Sequence, residues 1–180
     1  MLADTAAAHD FTYTALRYFN VAGADPAGRT GQSTRGATHL IKVACEAALG
    51  KRDEMVVYGT DYPTPDGTCV RDYIHVTDLV AAHGDALGHL RSAGGSLIAN
   101  CGYGRGFSVL EVLDTVKLVS GRDFKVTLGE RRPGDAVSVV ASPARIKKQF
   151  GWQPQHDDLK EIVRNALDWE VSLSRRNRRE

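Results

Sequence analysis

Residues 67–76 read Gly67-Thr68-Cys69-Val70-Arg71-Asp72-Tyr73-Ile74-His75-Val76. An arginine and an aspartate stand side by side between a turn-rich loop, GTDYPTPDG, and a helix expected from about Asp78 to Leu90. Either the two charges satisfy one another at the surface, or the arginine is held ready for an anion. In the expected helix Thr77 is the candidate N-cap, and Leu79, Ala82, Ala86, Leu87 and Leu90 share one face. Upstream, Met55 to Tyr58 reads as a short strand, and Leu40 to Leu49 as a helix stopped by Gly50. Further back, Thr12 to Phe19, TYTALRYF, has the β-rich apolar character of a buried strand. Downstream, SLIANC at Ser96 to Cys101 is another strand. Ser108 and Glu111 make an S-x-x-E capping box for a helix with Val109, Val112, Leu113, Val116 and Val119 on its stripe and Gly121 at its end. Short strands are expected at Val126 to Leu128 and Val137 to Ala141. Ser142-Pro143 opens a short helix with proline at its first position. A last helix starts near Asp158-x-x-Glu161, with Leu159, Ile162, Val163, Ala166 and Leu167 buried. Strands and helices alternate, so the fold class is α/β.

The 180 residues suffice for one unit with a real core. A net charge of +1 points to no nucleic-acid partner. The one basic run, Arg175-Arg176-Asn177-Arg178-Arg179, reads as a solvated end. Cys45, Cys69 and Cys101 are odd in number and far apart, without a zinc spacing, which suits a reducing cytoplasm. Neither a signal peptide nor a membrane-spanning run is expected.

Gly102-Tyr103-Gly104-Arg105-Gly106 lies between a strand and a helix, where a dinucleotide fingerprint belongs. The spacing is G-x-G-x-G rather than G-x-G-x-x-G, so a tight strand-to-helix turn is the expectation. Arg71 and Arg132 sit in turn-rich loops, and a guanidinium suits phosphate through its paired donors and permanent charge. Asp135 closes the turn RRPGD and can accept from a hydroxyl, and Asn20 ends a buried strand at the edge where α/β sheets bind ligands. Each also has a plainer reading: an ion pair for Arg71-Asp72, turn chemistry for Asp135, a strand-end cap for Asn20.

The segments ALRYFNVAGADP, ATHL, GTDYPTPDGTCVRDYIHVTDL, NCGYGRGFSVLEV and RRPGD follow one another in that order. Together they resemble the UDP-glucose 4-epimerases of the extended short-chain dehydrogenase family, bacterial ones of galactose and exopolysaccharide synthesis above all. The resemblance runs from about Asp4 to Leu173. It implies the last strands of a Rossmann-type sheet interleaved with a smaller α/β substrate-binding domain. It implies that Arg71 and Arg132 grip the UDP diphosphate, that Asp135 meets the uridine ribose, and that Asn20 lies near sugar and diphosphate. Tyr18 matches the tyrosine beside the nicotinamide and substrate, with Phe19 next to it. Thr38, His39 and Leu40 fall where the family lines the sugar-nucleotide pocket, Thr38-His39 standing where some members carry two asparagines. Val56, Val57 and Tyr58 match the strand beside the uracil. Val139 falls where members differ between a bulky aromatic and smaller residues that admit N-acetylated sugars.

The activity so implied interconverts UDP-glucose and UDP-galactose. NAD takes a hydride from C4, a tyrosine of a Tyr-x-x-x-Lys motif takes the hydroxyl proton, and the 4-keto sugar turns over before the hydride returns. Tight UDP and a loosely held sugar are the physical requirement. None of the six tyrosines has lysine four positions on, and no G-x-x-G-x-x-G occurs. In the family both motifs precede the ALRYFN strand, where this chain has only the helical stretch MLADTAAAH. The resemblance therefore implies the C-terminal part of an epimerase, without the proton-transfer pair and inactive alone. It also implies a homodimer or association with an N-terminal half as possible assemblies. A related UDP-sugar decarboxylase or dehydratase, and a non-catalytic UDP-sugar-binding fragment, are the alternatives.

Overall fold

A computed structural model describes residues 1–176. Its helices are α1 (Leu2–Ala8), α2 (Leu40–Ala48), α3 (Val76–Arg91), α4 (Val109–Ser120), α5 (Ala144–Phe150) and α6 (Leu159–Arg176). Its strands are β1 (Thr14–Arg17), β2 (Asn20–Ala22), β3 (Met55–Tyr58), β4 (Val70–Arg71), β5 (Tyr73–His75), β6 (Leu97–Asn100), β7 (Phe107–Ser108), β8 (Val126–Gly129) and β9 (Ser138–Val139). Strands pair in parallel as β1 with β6, β2 with β5, and β3 with β8. β4 lies between an antiparallel β7 and a parallel β9. The class is α/β, as the alternation predicts.

Two apolar clusters organise these elements. In one, α2, α4 and α6 pack on β3 through Ile41, Cys45, Val57, Leu113, Val116, Ile162 and Val163. In the other, Ile74, Leu79, Ala82, Ala99, Cys101, Ile146 and Trp152 join β5, β6, α3 and α5. Burying each large side chain contributes roughly 1.5–3 kcal/mol. An ionic clasp ties α2 to α6: buried Lys42 pairs with buried Glu170 and with Glu46, and Lys51 reaches Glu170 Oε2 at 2.7 Å. Burial opposes the Lys42 charge, but Glu170 and Glu46 outweigh it and hold the ammonium above its usual range.

The Ser108–Glu111 capping box forms, and Gly121 ends α4 in the left-handed conformation at φ 64°. Other ends differ from expectation. The N-cap of α3 is His75 rather than Thr77: its Nδ1 accepts from the Thr77 N–H at 3.1 Å, so the helix starts at Val76. Burial, with His156 close by, holds that imidazole below its usual range, which keeps Nδ1 an acceptor. Gly23 lies against this ring at φ +80°, where a Cβ would come within 2.6 Å of it. Leu87 is exposed rather than on the buried face of α3, which Asp78 joins instead. Pro143 is the cap of α5, not its first residue. Ala166 and Leu167 are only partly buried, and the deep positions on α6 pass to Trp169 and Glu170. Of the basic run, Arg176 stacks on the Trp169 ring at 4.8 Å, and Asn177, Arg178 and Arg179 lie outside the described residues. Among the described residues no helix is long and apolar enough to cross a membrane.

Candidate functional site

Arg71 and Asp72 do not pair with each other. Asp72 is 1 % exposed, and its carboxylate accepts N–H groups from Tyr103 (3.1 Å), Gly104 (2.9 Å) and Ala141 (3.2 Å). That is the job of the glycine turn at 102–106: a Cβ on Gly102 would lie 2.9 Å from the Asp72 carboxylate and 2.6 Å from the Ala141 Cβ. The turn presents donors to a buried carboxylate, as a tight strand-to-helix connection. Arg71 turns the other way. Its guanidinium donates to the carbonyls of Val70 and Ala136, both at 2.8 Å, and lines a cavity of about 640 Å3.

Most of the residues singled out in the sequence meet around that cavity. β3 contributes Val56, Val57 and Tyr58; the approach to α2 contributes Thr38, His39 and Leu40; the start of β2 contributes Asn20. The turn before β9 brings Arg132 and Asp135. Arg132 Nε reaches Asp135 Oδ2 at 3.0 Å and its guanidinium lies 4.9 Å from the centre of the Tyr58 ring. One aromatic face, one guanidinium group and a carboxylate are thus in mutual contact, and the Arg71 guanidinium lines the same cavity. Arg131 is turned away onto Tyr62 and Asp61, so only one arginine of RRPGD belongs to the site.

Three of the residues lie outside this lining. Tyr18 and Phe19 are exposed between β1 and β2, at the carboxyl end of the parallel β1·β6 pair. Val139 is directly in register with Arg71 across the β4·β9 pair, which puts both side chains on one face. Conversely, Arg52 was not foreseen. It stands two residues after Gly50, lines the cavity, pairs with Glu46 at 2.5 Å and donates to the Ala37 carbonyl at 3.2 Å. The helix-stop glycine before Lys51-Arg52 was the available signal. Cys69 and Tyr73 also line the cavity, as consequences of flanking Arg71 on the strand run. Among the described residues no His, Cys, Asp or Glu cluster suits a metal ion.

Residues 1–102 match the NAD dependent epimerase/dehydratase family. A UDP-glucose 4-epimerase of Azospirillum brasilense is 62% identical over 173 residues, covering 96% of this chain and 50% of that protein. A UDP-glucose 4-epimerase of Rhizobium meliloti is 48% identical over 162 residues, 90% of this chain and 48% of that protein. Among solved structures, the Brucella ovis UDP-glucose 4-epimerase in complex with NAD superimposes with a TM-score of 0.89 at 47% identity, over 93% of this chain and 52% of that one. The chain spans about half the length of the curated relatives it matches. With the family matched over more than half of its residues, the chain belongs to the NAD dependent epimerase/dehydratase family.

Proposed function

We propose that this chain carries the UDP-sugar-binding part of a UDP-glucose 4-epimerase, which interconverts UDP-glucose and UDP-galactose in sugar-nucleotide metabolism of the cytoplasm. The observation that carries the reading is the convergence of Arg71, Arg132, Asp135, Tyr58 and Asn20 on one cavity, from segments up to 115 residues apart. On this reading the guanidinium groups of Arg71 and Arg132 hold the diphosphate, the Tyr58 face packs on the uracil, and Asp135 accepts from the ribose. Asn20, Thr38, His39 and Leu40 form the wall toward the hexose. Val56 and Val57 shape the apolar floor at the base end.

The relatives' cofactor fits this chain at one end only. Tyr18 and Phe19 offer exposed rings at the carboxyl end of β1, the edge where α/β sheets take ligands, and Tyr18 is the residue that would lie beside the nicotinamide. No dinucleotide fingerprint occurs in the 180 residues. When bound, NAD supplies a hydride acceptor. This chain's share of the work is to fix UDP so that the hexose can be presented from either face. The proton-transferring Tyr-x-x-x-Lys pair is absent from the 180 residues as well. The exposed rings of Phe11, Tyr18 and Phe19 flank the two-stranded β1·β6 pair, and the exposed Ile98 stands on β6 itself. They give a surface on which a complementary half can dock, or a second copy of the chain.

Two assays of UDP-galactose turnover test the reading. The 180-residue chain alone should show none, because orienting a hydride acceptor against the sugar is worth roughly 7–11 kcal/mol of a barrier of this kind, and neither a dinucleotide fingerprint nor a Tyr-x-x-x-Lys pair occurs in the 180 residues. Fused to the half of the Azospirillum brasilense relative that it does not match, it should form UDP-glucose. A folded fusion without turnover, or turnover by the chain alone, overturns the proposal.

A further inference from the structure

The 640 Å3 cavity adjoins a second one of about 360 Å3, and the two share Asn20, His39, Leu40 and Tyr73. His39 is the only one of the four with an ionisable ring nitrogen, it lines both cavities, and in the reading above it belongs to the hexose wall while Tyr58 packs on the base. Its ring is exposed, so nothing in its own packing selects one orientation. A contact from outside the first cavity does. The Gln32 side-chain nitrogen lies 2.8 Å from His39 Nδ1, and Gln32 lines the second cavity.

We propose that Gln32 is a positioning residue, which holds the His39 ring in one orientation and offers its Nε2–H to the hexosyl end of the nucleotide-sugar site. The proposal rests on the nucleotide-sugar reading for its ligand, and on geometry alone for the hold of Gln32 on His39. An amide nitrogen has two hydrogens to give and accepts none, so His39 Nδ1 is the acceptor. A neutral imidazole accepting at Nδ1 carries its proton at Nε2. The ring is thereby made a donor on the side away from Gln32, which suits the oxygen-rich end of a sugar nucleotide.

Gln32 is itself fixed. Its backbone carbonyl accepts from Trp169 Nε1 at 3.1 Å, and Trp169 is buried on α6. Gly31 lies flat against the same indole: a Cβ there would come within 2.5–2.6 Å of three ring atoms. The loop that carries Gln32 is therefore pinned to α6, and the chain of contacts runs α6, Trp169, Gln32, His39, cavity. A side chain chosen only for solubility in an exposed loop needs none of these contacts.

The test has two arms on the full chain. Long-range 1H–15N correlation spectra, taken at pH 8 and assigned with His39→Asn, report the protonated nitrogen. The unaltered chain should show His39 protonated at Nε2, Gln32→Leu a mixture of tautomers, and Gln32→Glu protonation at Nδ1, because a carboxylate accepts where the amide donated. Calorimetry with UDP-glucose and with UMP gives the second arm. A net hydrogen bond contributes about 0.5–1.5 kcal/mol, so Gln32→Leu should bind UDP-glucose roughly three- to tenfold more weakly and UMP unchanged. Equal weakening of both ligands, an unchanged UDP-glucose affinity, or an Nδ1-protonated ring in the unaltered chain overturns the proposal. If the unaltered chain binds neither ligand, the nucleotide-sugar reading has failed, and the spectra still decide whether Gln32 sets the tautomer.

Discussion

On one side of the strand run 70–75, Asp72 sits in the interior and its carboxylate gathers three backbone N–H groups. On the other, Arg71 faces a cavity and spends its hydrogen bonds on two carbonyls. Two adjacent charges that look like an ion pair thus have different tasks, decided by which way each side chain points across a strand. A desolvated carboxylate is stable only with its lone pairs filled, and turns built around Gly102 and Ala141 supply the donors. A guanidinium bonded to carbonyls keeps its full positive charge, because a carbonyl neutralises nothing. The interior charge is bonded into the fold, and the other charge lines the cavity. The two regions should therefore fail differently when altered.

The largest effect is expected at Asp72. Asp72→Ala leaves three N–H groups without their acceptor, that of buried Ala141 and those of Tyr103 and Gly104 in partly buried bonds, at about 1–3 kcal/mol for the buried one and less for the others, so urea unfolding should show a loss of roughly 2 kcal/mol or more. Asp72→Asn keeps one acceptor oxygen and should lose less. A midpoint for Asp72→Ala equal to that of the unaltered chain would erase the distinction between the two faces.

Acid should reach the fold before it reaches the cavity arginines. Asp66 holds the 59–68 loop to the start of α4, accepting from the Thr68 N–H (2.9 Å), the Thr68 hydroxyl (2.8 Å) and the Ser108 hydroxyl. Burial opposes its charge, but the Ser108 and Thr68 donors prevail and hold the folded carboxyl below its usual value. A carboxyl lowered in the folded state stabilises above the unfolded value, near 3.9, and that contribution fades as pH falls through the folded one. Denaturation between pH 5 and pH 2 should show this decline, and Asp66→Asn should flatten it. An unaltered slope in the variant would remove Asp66 from the account.

The smallest effect belongs to Val139, which is in register with Arg71 and lies outside the cavity lining. In the active fusion a valine leaves room that a tyrosine would take, so some turnover of UDP-GlcNAc is expected. Val139→Tyr should lower kcat/KM for UDP-GlcNAc relative to UDP-glucose by up to about tenfold, the range of one lost pocket contact. An unchanged ratio would make Val139 a strand residue only.

Local signals were legible in the sequence. Met55–Tyr58 is the strand that its apolar run suggests, and the Ser108–Glu111 box and Gly121 bound α4, because each depends on residues within one turn. Arg132 was legible as a loop-borne guanidinium, but Arg71, expected in a turn-rich loop, lies on β4, because its segment pairs with β7 and β9 far along the chain. What stayed hidden depends on distance along the chain. Asp72 finds its donors 31 and 69 residues away, and Gln32 is fixed by an indole 137 residues away. Nothing near Thr77 shows that a histidine two residues earlier would cap α3, because the capping nitrogen is an acceptor only once burial has kept the ring neutral.

The central claim is that Arg71 and Arg132 face outward to hold a nucleotide diphosphate, while Asp72 belongs to the interior. Calorimetric titration of the chain with UDP, beside Arg71→Ala and Arg132→Ala variants, tests it most directly. Charge-assisted hydrogen bonds contribute about 1.5–3 kcal/mol, so each variant should bind UDP at least about tenfold more weakly and melt at the temperature of the unaltered chain. Unchanged UDP affinity in both variants, with their folds intact, would contradict the claim.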